Sequence, residues 1–206
     1  MNHVQDLAER KKMGTRDRML HAAIDLISAK GYKNVTIEEI AKEADVSAMT
    51  VFRHFGNKMN MLEEAVDRFY YPIPVQKIFE ERMTYELRSD LRLICEIYYE
   101  LMRQNVKLVH IAYKEGQAIP GLLEWVSRHP RQLKELMMEY IQRMQELGKV
   151  KAINTFKVES HALMFIALHY GSILARTFVE GNRVSFLTDQ EIIDESVELF
   201  YNALTV

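Results

Sequence analysis

Apolar side chains recur along this chain at helical spacing almost from end to end, and the interruptions between periodic stretches mark where helices start and stop. The sharpest pattern lies in 36–58. Ile37, Ile40, Ala41 and Ala44 fall at i, i+3, i+4 and i+7, one apolar stripe, with Thr36 ahead as an N-cap and Glu39 three residues on, a capping box. Asp45-Val46-Ser47 then breaks the period: Val46 supplies an apolar plug for the turn, and Ser47 can cap a second helix from Ala48. Two short helices across a turn of about three to four residues have the outline of a helix-turn-helix, and on spacing alone they fit an ordinary helical hairpin equally well. Ahead of them, 18–30 puts Met19, Leu20, Ala23, Ile24 and Ile27 on a helical face, closed by Gly31 as the left-handed residue. Behind them, Gly56 permits a turn and Asn57 can cap a fourth helix bearing Met61, Leu62, Ala65, Val66 and Phe69.

The rest of the chain reads as helix in longer pieces. Tyr71-Pro-Ile-Pro74 is the clearest break and ends a connecting helix of about 57–71. Beyond it the pattern predicts helices over 75–87, 90–114, 119–127, 130–147, 155–180 and 189–204, separated at Ser89-Asp90, Gly116, Pro120-Gly121, Pro130, Gly148 and Gly181-Asn182. With 206 residues, 48% of them hydrophobic, the chain is long enough for two modest domains. The predicted division is a basic arm over 1–14, a helix-turn-helix domain over 15–60 and a helical domain over 61–206.

Charge changes the picture of the N-terminal part. The whole chain is at −2, a mild objection to DNA binding, but residues 1–58 hold ten Lys or Arg against eight Asp or Glu and the remainder is net −4. That separation orients a protein on phosphate. Arg10, Lys11, Lys12 and Arg16 form a basic run that fits either a solvated tail or an arm touching backbone or minor groove. The second helix of the pair agrees with DNA: only Val51 and Phe55 are committed to a core, leaving Ala48, Met49, Thr50, Phe52, Arg53 and His54 outward with no acid among them. The lone Cys95, in a Leu-Ile-Cys-Glu-Ile helical pattern, reads as a small buried side chain in a reducing compartment, with redox sensing as the alternative. The N-terminus shows no apolar signal region, and the longest apolar run, 162–168, stops at His169, so a cytoplasmic protein without a membrane partner is expected.

The chain resembles the DNA-binding domain of the TetR (TetR/AcrR) family of bacterial transcriptional regulators. The resemblance runs through Thr15-Arg16, Leu20, Ala22-Ala23, Leu26, Lys30-Gly31-Tyr32, Val35-Thr36, Ile40-Ala41, Ala44, Val46-Ser47, Thr50-Val51-Phe52, His54-Phe55, Asn57-Lys58 and Leu62. It covers roughly a quarter of the chain. It implies an all-α fold in which a three-helix helix-turn-helix head is joined by a connecting helix to a C-terminal ligand-binding and dimerisation domain. By the same resemblance Thr36, Ser47, Ala48, Met49, Thr50, Phe52, Arg53, His54, Lys58 and Arg16 are expected at the DNA. Arg53 can bind guanine O6 and N7 together, or a phosphate. Thr50 can bond phosphate or offer its methyl to thymine, and Met49 can read a base only through apolar contact. Phe52 stands where the family commonly has tyrosine and lacks the hydroxyl that reaches phosphate. His54, Lys58 and the capped Thr36 match backbone-binding positions.

For the body, resemblance implies a homodimer whose last two helices form a four-helix bundle, with Ala162, Ile166, Ile173, Ile193, Val197 and Phe200 expected at the interface. Symmetry would present two recognition helices to a palindromic operator in double-stranded DNA. Tyr98, Met102, Tyr113, Trp125, Met137, Phe165 and His169 can line an adaptable pocket for an apolar or aromatic effector, or simply fill a core. No cofactor and no metal set is read: His110, His161 and His169 do not cluster with acids or Cys95. The sequence has no phosphate-cradling glycine loop, HExxH helix or nucleophile elbow, so an enzyme is the weaker rival, and an activator or architectural DNA-binding protein the nearer one.

Overall fold

The local signals of 15–65 each find their partner. The computed structural model describes residues 13–70, 75–178 and 186–205; Arg10, Lys11, Lys12, the 71–74 break and the Gly181-Asn182 break lie outside them. Helix α1 (Thr15–Lys30) starts earlier than the apolar pattern alone marks, because the carbonyl of Gly14 already takes the Arg18 N–H at 3.0 Å. It buries Met19, Leu20, Ala22, Ala23, Ile24 and Ile27, and Gly31, at φ +86°, closes it with an N–H to the Ile27 carbonyl. A 3₁₀ turn (Tyr32–Asn34) leads to α2 (Ile37–Glu43), where the capping box is complete: Glu39 N–H donates to Thr36 Oγ1 at 3.2 Å and Thr36 N–H to Glu39 Oε2 at 2.9 Å.

The turn that follows is closed by Val46 N–H on the Ala41 carbonyl at 2.9 Å, with Asp45 at φ +54°. Ser47 Oγ then accepts Thr50 N–H at 3.1 Å and starts α3 (Ala48–Phe55). Gly56, at φ +74°, and Asn57, whose side chain accepts Asn60 N–H at 2.8 Å, begin α4 (Lys58–Ala65). The pattern did not foretell how α4 continues: Val66–Tyr70 widen into a π-helical turn that keeps Val66 buried and lays Phe69 against His21, ring centres 4.4 Å apart.

The chain forms two compact units, one holding 1–72 and 107–126, the other 73–106 and 127–206. The first therefore contains a stretch expected in the C-terminal domain: α7 (Val106–Glu115) from Lys107 onward and the turn after it. Besides the buried Leu108, Val109 and Ile111, two polar ties within this unit are unreadable from periodicity. Lys107 Nζ meets Asp25 Oδ1 of α1 at 2.5 Å, and Glu115 Oε1 takes the Tyr32 N–H at 2.9 Å.

In the second unit, α5 (Val75–Arg82) ends sooner than predicted and α6 (Leu87–Gln104) starts sooner. Asp90, expected as a cap, is buried within α6, where Oδ1 accepts the Thr84 N–H and hydroxyl at 2.9 and 2.8 Å and Oδ2 the Tyr140 hydroxyl at 2.7 Å. The helix expected over 90–114 is cut at Asn105, whose side-chain amide donates to the Leu101 carbonyl at 2.9 Å and competes with the helical ladder. The break expected at Pro130 is absent, since α8 (Leu122–Glu146) runs through it. A proline in a helix frees the carbonyl four residues back. Here that is Val126, the last residue of the first unit, so the loss falls where the chain passes from one unit to the other. α9 (Thr155–Phe178) and α10 (Asp189–Thr205) pack on α6, with Arg88 and Arg92 paired to Glu198 and Asp194 at 2.8 and 2.5 Å. Among the described residues no helix is long and apolar enough to cross a membrane.

Candidate nucleic-acid interface

Helix α3 has one buried edge and one bare face. Val51 and Phe55 are in the core, whereas Met49 is 75% exposed, Phe52 47% exposed and Arg53 is exposed beside them. Ala48, Thr50 and His54 are half-buried along the margins. The Thr50 hydroxyl lies 2.9 Å from Ser47 Oγ, so the first turn is held by two contacts to one serine. No carboxylate belongs to the helix, and its only basic residues, Arg53 and His54, stand in its last turn.

Two of the cations expected at DNA are engaged within the head. Arg16 donates from Nε and Nη2 to Glu64 of α4, the second contact at 2.5 Å, with its guanidinium 4.8 Å above the Phe55 ring. That hydrogen bonding holds the Glu64 carboxyl below, and the Arg16 guanidinium above, their ordinary ranges. Arg16 thus ties α1 to α4 across the end of α3, and with its charge matched by Glu64 it is a poor free cation for phosphate. It also faces His54 Nδ1 at 3.3 Å. An arginine can only donate, so Nδ1 accepts and the neutral ring carries its proton on Nε2, which turns a donor away from Arg16.

Lys58, at the first position of α4, gives two of its three N–H groups to the carbonyls of Tyr32 and Val35, the latter at 2.5 Å, and sits 4.2 Å over the Tyr32 ring. Partial burial lowers its pKa. Thr36 Oγ1 accepts a backbone N–H as a cap, which leaves its hydroxyl proton available to an outside acceptor.

Residues 19–65 match the family model of bacterial regulatory proteins, tetR family. That stretch is a DNA-binding domain of the tetR type. YvkB, an HTH-type transcriptional regulator of Bacillus subtilis (strain 168), is 28% identical over 191 residues, 93% of this chain and 97% of that protein. Among solved structures, NalD, the secondary repressor of the MexAB-OprM multidrug efflux pump in Pseudomonas aeruginosa, superposes with a TM-score of 0.72 at 20% identity over 93% of this chain and 96% of NalD. FadR from Bacillus subtilis, in complex with stearoyl-CoA, does so with a TM-score of 0.66 at 18% identity over 89% and 96%. With that domain the chain is a DNA-binding transcriptional regulator whose α2 and α3 form the helix-turn-helix.

Of the predicted pocket residues, Tyr98, Met102, Trp125, Met137, Phe165 and His169 are buried, and Tyr113 is 61% exposed. His169 packs against the Phe165 and Tyr99 rings, centres 4.7 and 5.6 Å away, with Nε2 at 3.2 Å from both Cys95 Sγ and Ser196 Oγ. Ser196 gives its own proton to the Ile193 carbonyl at 2.9 Å, so Nε2 donates to it and Nδ1 is left buried without a partner. Burial presses His169 down to about 4 and pushes the Cys95 thiol up to about 12. A thiol so protonated is a poor redox sensor. A cleft of about 350 Å³ is instead lined by Tyr99, Met102, Arg103, Val106, Ile173 and Arg176, with Thr177 and Asp189. Its α6 wall, Tyr99, Met102 and Arg103, was legible as an i, i+3, i+4 face.

The predicted dimer residues are mostly buried inside the protomer. Ala162 is 0% exposed, and Ile166, Ile193, Val197 and Phe200 are buried within the protomer, Phe200 edge-on to Phe165 at 5.1 Å; Ile173 is half-buried at the cleft. These residues hold α9 and α10 to the protomer's own core. The outward face of the same helices carries Phe156 at 77% exposure, with Leu163, Met164, Tyr170 and, on α10, Leu199. Phe156, Leu163 and Tyr170 recur every seven residues, a second stripe masked because α9 is apolar on both sides.

Proposed function

We propose that this regulator is a repressor that binds a palindromic operator as a homodimer and is released by a small molecule. The observation that carries the reading is the acid-free outward face of α3, with Met49, Phe52 and Arg53 bare above a core-facing Val51 and Phe55. In this assignment Arg53 reads a base edge, Met49 and Thr50 make apolar or phosphate contacts, Ala48 and Ser47 lie close to the groove, and Phe52 contributes its ring without a phosphate bond. His54 Nε2, the Thr36 hydroxyl and the remaining donor of Lys58 bind phosphate, and Arg10, Lys11 and Lys12 add sequence-blind attraction. Arg16 acts by fixing α1 to α4.

The stripe of Phe156, Leu163, Tyr170 and Leu199 supports a dimer through α9 and α10, since a row of exposed large apolar groups on neighbouring helices favours a second copy. The cleft beside Tyr99 and Met102 supports an effector with an apolar body, in the size range of small-molecule sites. NalD, named as a repressor, and FadR, solved with stearoyl-CoA, are precedents within the same fold for repression and for an effector with an apolar body. Such a protein works in the cytoplasm, on the chromosome.

Selection of duplexes from a randomised pool, followed by footprinting, tests the reading. One short inverted repeat occupied by an even number of chains is expected, and continuous coverage of DNA would point to an architectural role instead. On the selected site Arg53→Ala weakens binding by about 1 to 3 kcal/mol and relaxes discrimination at one base pair, whereas Lys58→Ala lowers affinity for all sequences alike. Equal, sequence-blind losses for both would remove the base contact from Arg53.

A further inference from the structure

We infer that Glu115 is a positioning residue for DNA binding: from the end of α7 it holds the Gly31-Tyr32 turn where the carbonyls of that segment can seat Lys58. The inference rests on the DNA-reading role of the head. Glu115 Oε1 accepts the Tyr32 N–H at 2.9 Å, a charge-assisted bond to a backbone group that no helix satisfies. Its approach is close enough that a Cβ on Gly31 would stand 2.7 Å from the same oxygen, so glycine here serves both the left-handed turn at φ +86° and the passage of this carboxylate.

From Tyr32 the arrangement passes directly to the DNA side. The Tyr32 carbonyl and ring both receive Lys58 Nζ, the Val35 carbonyl takes its second N–H at 2.5 Å, and Thr36, the cap of α2, is the next residue. Glu115 thus fixes one residue, Tyr32, whose N–H faces α7 and whose carbonyl faces Lys58. Without it the 3₁₀ turn loses this tether to α7, and the ammonium that starts α4 loses the fixed position of its Tyr32 acceptor. Lys107, eight residues earlier, anchors the other end of α7 to Asp25, so Glu115 acts from a braced helix.

Charge and reach can be separated at this position. Glu115→Gln keeps an oxygen at the same distance and removes the charge; Glu115→Asp keeps the charge and withdraws the oxygen by one methylene. The test is fluorescence anisotropy with the duplex that the wild-type chain selects, at a temperature where circular dichroism shows every variant folded. Glu115→Asp is expected to bind about tenfold more weakly, the scale of one such hydrogen bond, and Glu115→Gln, which keeps the acceptor and loses the charge assistance, to fall about two- to fourfold below wild type. In a Lys58→Ala background Glu115→Asp is expected to cost nothing further, because Glu115 acts through Lys58. Wild-type affinity in Glu115→Asp, equal weakening in Asp and Gln variants, or an additive loss on Lys58→Ala would each overturn the inference. Should Glu115→Asp unfold, the Gln variant and the amide shift of Tyr32, retained with Gln if the oxygen is the acceptor, decide the same question. A wild-type chain that selects no duplex at all would instead remove the DNA-reading role.

Discussion

The head and the body of this regulator are both helical, yet they are specified differently. In the head, helices of seven and eight residues are too short to persist alone, and each boundary is fixed by a side chain: Thr36 and Glu39, Ser47, Asn57, with Gly31 and Gly56 in left-handed turns. In the body, α9 and α10 are capped too, by Asn154 and by the Thr188–Glu191 pair, but α6, α8 and α9 run for 18 to 25 residues, and there what matters is which face turns inward. Local chemistry writes boundaries legibly; the choice between two apolar faces of one helix is made by the neighbours it packs on.

The largest effect expected from this contrast is at adjacent residues of α9. Ala162→Glu puts an unpaired charge into the protomer core and should cost about 3 to 5 kcal/mol, a large share of a typical domain's stability, leaving much of the chain unfolded in urea melts. Leu163→Glu, on the outward stripe, should change protomer stability by no more than about 0.5 kcal/mol while driving sedimentation toward the mass of one chain. If Ala162→Glu gave a folded single chain and Leu163→Glu an unfolded one, the interface would return to the residues first read from the sequence.

How much was legible follows the same line. The four starts and stops of the helix-turn-helix region were readable, because an N-cap or a left-handed glycine acts on its own few neighbours. Asn105 was not, since an asparagine cuts a helix only when its amide finds the carbonyl four residues back. Nor was the passage of α8 through Pro130, where a freed carbonyl at a boundary between units matters less than one in the middle of a core. In the site, Met49, Phe52 and Arg53 were placed outward correctly from periodicity. The internal employment of Arg16 by Glu64 and of Lys58 by two carbonyls joins residues 48 and up to 26 positions apart, and such pairings have no local signature.

Acid should separate the two units next. His169 is buried neutral, with its pKa lowered to about 4 by desolvation, while an unfolded histidine titrates near about 6.5. Between these values the unfolded chain binds a proton that the folded chain refuses, so the contribution is full above the ordinary histidine range and is lost as pH falls toward about 4. At pH 5 the loss is about 2 kcal/mol for a site this buried, and His129, also lowered to about 4 by burial in the same unit, adds in the same direction. Urea melts at pH 7 and pH 5 should show the fall, and His169→Gln should flatten part of it. An unchanged slope in His169→Gln would assign the acid sensitivity to other groups.

The smallest effect tests the head, where one hydroxyl does two jobs. Ser47→Ala removes the acceptor for Thr50 N–H and should lower stability by about 1 kcal/mol, with amide exchange faster in the first turn of α3 and little change elsewhere. Ser47→Asp restores an acceptor and places a negative charge at a helix N-terminus, which favours the helix. The same carboxylate faces the phosphates that α3 must approach, so the Asp variant should be as stable as wild type or more so, and bind DNA less well, with the defect shrinking as salt rises. Stability and affinity therefore move in opposite directions at Ser47, as they do wherever a cap also lies at the binding face. Parallel changes in the two would mean that Ser47 lies away from DNA and that the recognition helix engages the groove through Met49, Phe52 and Arg53 alone.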